Sequence, residues 1–322
     1  MDDASVTIVV LSCDRPDWFR IALASAMDQT HTTAIIVADD SATDDVRLIA
    51  EQHPGRVEYL AGPRRGQLAN LVNAVRFVRT AWTVVLHDDD VLEASCVEQL
   101  LGARGSGSES AIVIGDASHI DAGGGVLVED LSSSTRRKTM LQPGENRLPF
   151  GEHCAALLVH GVVSPFLAAL LPTTLLQGWA PDSRVGSVLD LSLCELFARQ
   201  CQVIAYVPEA LIRYRIHGAS VSSSFADLEP LLFIIDGQLQ DSLFVEIHSA
   251  LRRRRADAIA RQARVWTATR RWQDARDLLD ARRSQLPLRY YFPSYVLTLP
   301  VARSWYGQRI RRSNPRLNAH RA

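Results

Sequence analysis

The sequence has no CxxC pair, no basic segment at its start, and neither lysine nor glutamate in residues 250–322. Five cysteines without paired spacing argue against a zinc site or a disulfide framework, and predict reduced, buried thiols of a cytosolic protein. The start, MDDASVTIVV, has two acidic residues and no basic one, which predicts no signal peptide. There is no array of internal repeats, which excludes a solenoid. We therefore expect a cytoplasmic globular protein.

The chain is rich in apolar residues, and its charge is unevenly distributed. Of 322 residues 47% are hydrophobic and 22% are charged, a composition that excludes a disordered chain and provides an ample core. The length predicts about two domains. Residues 250–322 contain 18 Arg and 4 Asp, a charge of +14, whereas the rest of the chain has 17 basic and 32 acidic residues, a charge of −15. An acidic body with a basic tail predicts separate roles for the two parts.

Short apolar runs alternate with helical patterns along the first hundred residues. The pattern predicts strands at 5–11, 34–38, 57–60 and 83–86, and helices at 18–28, 44–53 and 67–79. This alternation predicts a parallel sheet with right-handed crossovers. Such sheets bind ligands beyond the carboxyl ends of their strands, which is where the acidic clusters of this sequence lie.

The later segments are less regular. A polar stretch at 132–146 suggests a mobile flap. The apolar stretch at 155–176 contains His160, Gly161, Pro165 and Pro172, which favours buried strand and helix pieces over a membrane span. A helix is predicted at 189–199 and a strand at 203–206. From about residue 230 the pattern is helical, with a helical hairpin at 257–283.

Two acidic clusters carry the chemistry. Asp88, Asp89 and Asp90 directly follow a predicted buried strand, and neighbouring carboxylates repel one another unless a cation or hydrogen-bond donors neutralise them. Hard oxygen ligands suit Mg²⁺ or Mn²⁺; an acidic surface turn or a helix N-cap is the alternative. Asp39 and Asp40, at the end of the second strand, form the second cluster, and a carboxylate here could accept hydrogen bonds from a base or a ribose, or could cap the next helix.

Together these segments resemble family 2 glycosyltransferases. The resemblance rests on SVTIVVLSCDRP, IIVADDSATDD, the helix at 67–75 and VVLHDDDVL, and it resumes with LDLSLCELFARQ and VIAYVPEALIRYRIHGASVS. It implies an α/β, Rossmann-like, mostly parallel sheet flanked by helices (the A-type glycosyltransferase fold) with a basic α-helical C-terminal extension. The expected domains are 1–228, split into a nucleotide-binding half at 1–101 and an acceptor half at 102–228, and a helical region at 229–322.

The same resemblance implies an inverting transfer of a sugar from a nucleotide-sugar, most simply a UDP-sugar. Asp40 would bind the base with Asp14 beside it, and Asp190 would be the general base. Asp89 and Asp90 would bind the Mn²⁺ or Mg²⁺ ion that bridges the diphosphate. The remaining donor-binding residues implied are Ser12, Gln67, Asp88 and His217.

Several alternatives stay open. Asp190 could instead compensate the charge of a helix N-terminus, with Glu195 as the substitute base, and His217 could be a loop histidine. His87 stands where the family usually has Asp, so the metal-ligand assignment is uncertain by one residue. Arg64 and Arg65 could contact a phosphate or be solvated.

Other functions and partners are also considered. A sugar-phosphate nucleotidyltransferase would need a glycine-rich loop after the first strand, and residues 12–16 contain no glycine. A non-catalytic scaffold that binds nucleotide-sugars is the other rival. The acceptor is a saccharide, a lipid-linked sugar or a natural product. For the basic tail we rank packing or homo-oligomer contact first, a peripheral contact with the inner face of the membrane second, and nucleic acid last.

Overall fold

The computed structural model describes residues 5–104, 111–129, 150–159, 168–201, 203–218 and 228–299. Contacts between Cα atoms divide the chain into two compact units, Met1–His217 and Gly218–Ala322. The polar stretch predicted as a flap at 132–146 lies outside the described residues, as does the middle of the apolar stretch, at 160–167.

The first unit is built on a sheet with nine described strands, ordered β3-β2-β1-β4-β8-β6-β9-β5, with β7 paired to β6. The strands are β1 (Val6–Ser12), β2 (Ala34–Asp39), β3 (Val57–Ala61), β4 (Trp82–His87), β5 (Val91–Leu92), β6 (Ala111–Ile120), β7 (Val126–Val128), β8 (Ala169–Pro172) and β9 (Val203–Arg215).

Most strands of this sheet run in one direction. β3, β2, β1 and β4 are parallel neighbours, and β6 is parallel to β9. Because β8 is antiparallel to both β4 and β6, these two strands also share a direction. β5 and β7 run against their neighbours. The predicted α/β fold with a mostly parallel, Rossmann-like sheet is confirmed.

Several helices pack on the sheet through their apolar faces. The helices of this unit are α1 (Pro16–Met27), α2 (Asp45–Ala50), α3 (Gln67–Val75), α4 (Cys96–Arg104), α5 (Phe150–Cys154), α6 (Thr173–Gln177) and α7 (Leu189–Gln200). α1 is representative: proline in its first turn suits a helix start, and Phe19, Leu23 and Ala26 are buried at helical spacing. They join the buried strand residues Ile8 and Val84 in one core cluster.

β9 is longer than the sequence pattern predicts. The prediction ended this strand at residue 206, before Pro208, since proline cannot donate a ladder hydrogen bond. In the structure the strand continues to Arg215. Gly115 of β6 pairs with Val207, and the next residue of β6, Asp116, pairs with Ala210, so Pro208 and Glu209 are additional residues in β9. The two additional residues form an irregularity that accommodates the proline. This continuation carries the chain to His217.

The second unit is helical, as predicted for the C-terminal extension. It contains α8 (Leu228–Gln240), α9 (His248–Ala268), α10 (Trp272–Ala281) and α11 (Leu288–Leu297). Leu232, Ile259 and Leu279 lie in its own buried core. The predicted helical hairpin at 257–283 corresponds to α9 and α10. Among the described residues, no helix combines the length and the apolarity that a membrane crossing needs.

Candidate active site

The carboxyl ends of three strands lie side by side. β1 pairs with β2 and β4 at once, and the register places Ser12 opposite Asp39 and Leu11 opposite His87. The residues that follow β2 and β4 therefore emerge at one edge of the sheet. The two acidic clusters of the sequence meet there, as the strand pattern predicted.

Asp88 ties the turn after β1 to the end of β4. Its buried carboxylate accepts hydrogen bonds from Ser12 Oγ at 3.0 Å and from the Cys13 backbone N–H at 2.9 Å. Arg15 lies 3.2 Å from its other oxygen. Burial raises the pKa of Asp88 to about 6. With both oxygens engaged, Asp88 is an internal anchor of the site.

Asp89 carries the negative charge that faces the site. Its Oδ2 contacts the Arg15 guanidinium and lies 2.9 Å from His217 Nε2. Burial by itself would raise the pKa of Asp89, but the charge of Arg15 and the hydrogen bond to His217 outweigh it and lower the pKa. Asp89 is therefore ionised at neutral pH.

Asp90 is fully buried, and its two carboxylate oxygens differ in their hydrogen bonding. Its Oδ1 accepts the Arg215 backbone N–H at 2.9 Å, whereas Oδ2 has no hydrogen-bond partner within the described part of the chain. Burial and the neighbouring charge of Asp89 raise the pKa of Asp90 well above its usual value. A buried carboxylate oxygen without a donor is costly, and a bound cation would satisfy it.

His87, Asp89 and Asp90 each offer one ligand atom, and these atoms lie within 4.8 Å of one another. Burial lowers the pKa of His87, which favours the neutral imidazole that can ligate a metal. The Gln67 amide lies 2.7 Å from His87 Nε2 and orients the ring. Two carboxylates with an imidazole fit a divalent cation such as Mn²⁺. In the sequence, His87 was interpreted as a departure from the family pattern. Its position at the end of β4, next to the aspartates, was the signal that could have placed it among the candidate metal ligands.

Asp40 holds the loop that follows β3. Its oxygens accept the backbone N–H groups of Arg64, at 2.5 Å, and Gly66, at 2.8 Å. The alternative role as cap of α2 is not seen, since the N-cap residue of that helix is Asp44. Asp40 is partly accessible, and each carboxylate oxygen can accept a further hydrogen bond.

Gly62 lies very close to the side chains of Asp40 and Asn70. A Cβ atom at Gly62 would lie 2.6 Å from Asp40 Oδ1 and 2.7 Å from Asn70 Oδ1, so only glycine fits. Asn70 donates to the Ala38 carbonyl oxygen at 2.8 Å, while its buried Oδ1 has no hydrogen-bond partner among the described residues.

The turn after β1 forms the neighbouring wall. Asp14 has a positive φ of 52°, and its side chain accepts the Ala42 backbone N–H at 2.8 Å, joining this turn to the end of β2. Cys13 is exposed. The prediction that all five cysteines are buried is therefore wrong for Cys13, because the turn projects its side chain from the sheet edge. Cys96, Cys154, Cys194 and Cys201 are buried free thiols.

An aromatic residue and two basic residues, for which the sequence pattern predicted no role, complete the cluster. Trp18 contacts His217 with ring centroids 4.4 Å apart and the ring planes tilted by 52°, and the Arg215 guanidinium lies 5.5 Å from the Trp18 ring centroid. Arg215 Nε also donates to the Asp89 carbonyl oxygen at 2.7 Å. Arg15 and Arg215 lie within the quoted motifs SVTIVVLSCDRP and RYRIH, which was the signal available for them.

Asp190 is exposed in the first turn of α7, where its carboxylate accepts the Leu191 backbone N–H at 2.9 Å. This geometry is compatible with a role at the helix N-terminus and with a base open to solvent. Glu195, the substitute base, pairs with Arg199 at 2.7 Å along the same helix. Arg64 and Arg65 are exposed.

A parallel α/β sheet with polar and acidic residues gathered beyond its strand ends defines a ligand-binding enzyme fold of the Rossmann-like class. Residues 7–161 match the family model described as glycosyl transferase family 2. Residues 7–161 therefore form a glycosyl transferase family 2 domain.

Solved structures with the same fold include residues 1–349 of S. aureus TarS. This structure has a TM-score of 0.63 and 12% sequence identity, and the match covers 96% of this chain and 92% of that one. The complexes of the same TarS fragment with UDP-GlcNAc and with UDP have TM-scores of 0.58 and 0.60, at the same identity and coverage. No curated protein sequence matches the chain.

Proposed function

We propose that the chain transfers a sugar from a UDP-sugar to an acceptor hydroxyl with inversion at the anomeric carbon. The observation that carries this proposal is the group His87, Asp89 and Asp90, whose two carboxylates are buried and which lies at the same sheet edge as Asp40. The similarity in fold to TarS, solved with UDP-GlcNAc and with UDP, supports a UDP-linked donor.

Asp40 and Asp14 would bind the nucleoside. Asp40 retains acceptor capacity after its two backbone hydrogen bonds, and a carboxylate acceptor suits the N–H of uracil. Asp14 stands beside it on the turn after β1, where it can reach a ribose hydroxyl. Ser12 acts indirectly, because its hydroxyl is donated to Asp88.

Asp89 and Asp90, with His87, would hold a divalent cation at the diphosphate. Such a cation neutralises the negative charge that develops on the leaving diphosphate. Arg15, whose guanidinium contacts Asp89 Oδ2, could bind the same phosphates when the cation is present. Gln67 and His217 orient the group by fixing His87 and Asp89.

Asp190 would be the general base. Inversion requires a base on the side of the sugar opposite to the leaving group, where it takes the proton of the acceptor hydroxyl. An exposed carboxylate at the start of α7 can meet an acceptor that enters from solvent.

Isothermal titration of the purified chain with UDP, GDP and dTDP, each with and without Mn²⁺, tests the donor site. We expect Mn²⁺-dependent binding of UDP, lost in Asp89→Ala and weakened in Asp40→Ala. Asp28→Ala is the matched control, since Asp28 is an exposed carboxylate at the end of α1. Failure of all three nucleotides to bind in either condition would refute the proposal.

Donor turnover tests the base separately. Asp190→Asn should bind UDP normally yet lose donor hydrolysis by about 10²-fold or more, with Glu195→Gln as the control on the same helix. NMR of the released sugar should show an inverted anomeric configuration at early times. Retained configuration would exclude the inverting mechanism, and binding without turnover in the unmodified chain would favour a non-catalytic scaffold.

A further inference from the structure

The outer face of α11 is apolar and exposed. Leu288 and Phe292 are each 66% exposed, Val296 is 38% exposed, and Leu299, just beyond the helix, is 37% exposed. At 100° per residue these four positions fall within an arc of about 80°. We call them the α11 stripe.

The other side of α11 packs within its own unit, where the helix contacts α9 and α10. The partly buried rings of Tyr290, Tyr291 and Tyr295 pack against the core of this unit, and Ser294 is 2% exposed. The α11 stripe faces away from that core, and a contiguous exposed apolar surface of this kind marks an interaction site.

Positive charge lies close to the α11 stripe. Arg289 is exposed on α11 itself, directly after Leu288, and Arg283 is exposed shortly before the helix. Their guanidinium groups lie 5.2 Å from the ring centroid of Tyr290 and 4.2 Å from that of Tyr291. Arginines beside an exposed apolar stripe are typical of segments that lie at a lipid–water interface.

We propose that α11 docks on an anionic lipid surface, with the α11 stripe inserted among the acyl chains and the surrounding arginines at the headgroup phosphates. A second copy of the chain fits less well, because it would bring two arginine-rich faces together. Nucleic acid would use the charge but leave the apolar side chains exposed. The inference concerns the second unit alone and does not depend on the proposed donor site.

Sedimentation of the full chain with phosphatidylcholine vesicles, prepared with and without phosphatidylglycerol, tests the docking. We expect binding only to the phosphatidylglycerol vesicles, and weaker binding as salt is raised. The double variant Leu288→Ser, Phe292→Ser should lower the partition coefficient about tenfold or more, since insertion depends on buried apolar area.

The control is Ile21→Ser, Leu48→Ser, which removes two apolar residues of similar exposure, 48% and 53%, from the first unit. Its vesicle binding should be unchanged, and thermal melts should show that both double variants are folded. Binding unaffected by the α11 substitutions would overturn the proposal. So would sedimentation equilibrium that shows a dimer abolished by those substitutions, because the occupant of the stripe would then be a second copy.

Discussion

At the scale of single residues, Arg15 is the counter-ion of the acidic cluster. Its guanidinium contacts both Asp88 and Asp89 and limits the repulsion between these two buried carboxylates. Arg15 must leave Asp89 Oδ2 before that oxygen can ligate a cation. The same side chain that stabilises the metal-free site therefore competes with metal binding.

Arg15→Ala should tighten Mn²⁺ binding in the absence of nucleotide by on the order of tenfold, because the competing charge-assisted hydrogen bond is lost. UDP binding in the presence of Mn²⁺ should weaken, since a phosphate contact is removed. Titration calorimetry measures both. Arg20→Ala, at an exposed position of α1, should change neither affinity, and weaker Mn²⁺ binding in Arg15→Ala would show that Arg15 does not compete.

At the scale of elements, the loop after β3 is shaped by one carboxylate. Asp40 receives two backbone N–H groups of this loop, and the backbone passes so close to Asp40 and Asn70 that only glycine fits at position 62. The conformation of the loop and the position of the Asp40 carboxylate are thus set together.

Gly62→Ala should displace the Asp40 carboxylate and weaken UDP binding strongly, while lowering the free energy of unfolding by about 1–3 kcal/mol through overpacking. Gly102→Ala is the control: position 102 lies in α4, and a Cβ there would meet nothing within 4 Å. Denaturant unfolding and UDP titration distinguish the two effects. Unchanged UDP affinity in a folded Gly62→Ala variant would contradict a role for Asp40 in donor binding.

The parallel half of the sheet could be predicted because its strands and helices carry local patterns. β1, β2, β3 and β4 all lie within two residues of their predicted bounds. For β1, β2 and β4 the reason is that buried strands of a parallel sheet are continuous apolar runs. The meeting of Asp40 with Asp88, Asp89 and Asp90 followed from the topology alone.

The other half depends on pairings between distant segments, and local pattern does not report these. The two-residue strand β5 exists only through its pairing with β9, and the irregularity opposite Gly115 lets β9 pass Pro208. The contacts of Arg15, Arg215 and Trp18 were missed for the same reason: Arg15 reaches Asp88 and Asp89, and Trp18 reaches Arg215 and His217, all far away along the chain.

At the scale of the whole molecule, the candidate site and the core of the helical region lie in different units of the chain. Every described residue of the candidate site lies in Met1–His217, while the helical unit has its own core of residues such as Leu232, Ile259 and Leu279. Damage to that second core should leave the donor site intact.

Ile259→Ala removes a fully buried side chain from the helical unit. We expect a loss of about 2–5 kcal/mol from the stability of that unit, seen as a shift of one calorimetric transition, with UDP affinity unchanged within about twofold. Ala258→Gly, at a partly buried neighbour in the same helix, should cost about 1 kcal/mol and serves as the milder comparison. A large loss of UDP affinity in Ile259→Ala would show that the two units are coupled.

The hydrogen bond between His217 and Asp89 joins residues 128 positions apart, and His217 is the last residue of the first unit. During synthesis the ribosome must therefore complete the entire unit before the acidic cluster acquires Arg215 and His217. Until then Asp89 and Asp90 lack these donors, so a nascent chain that stalls earlier carries a sheet edge without a finished site. Maturation of the site is thereby timed to the end of translation of its unit.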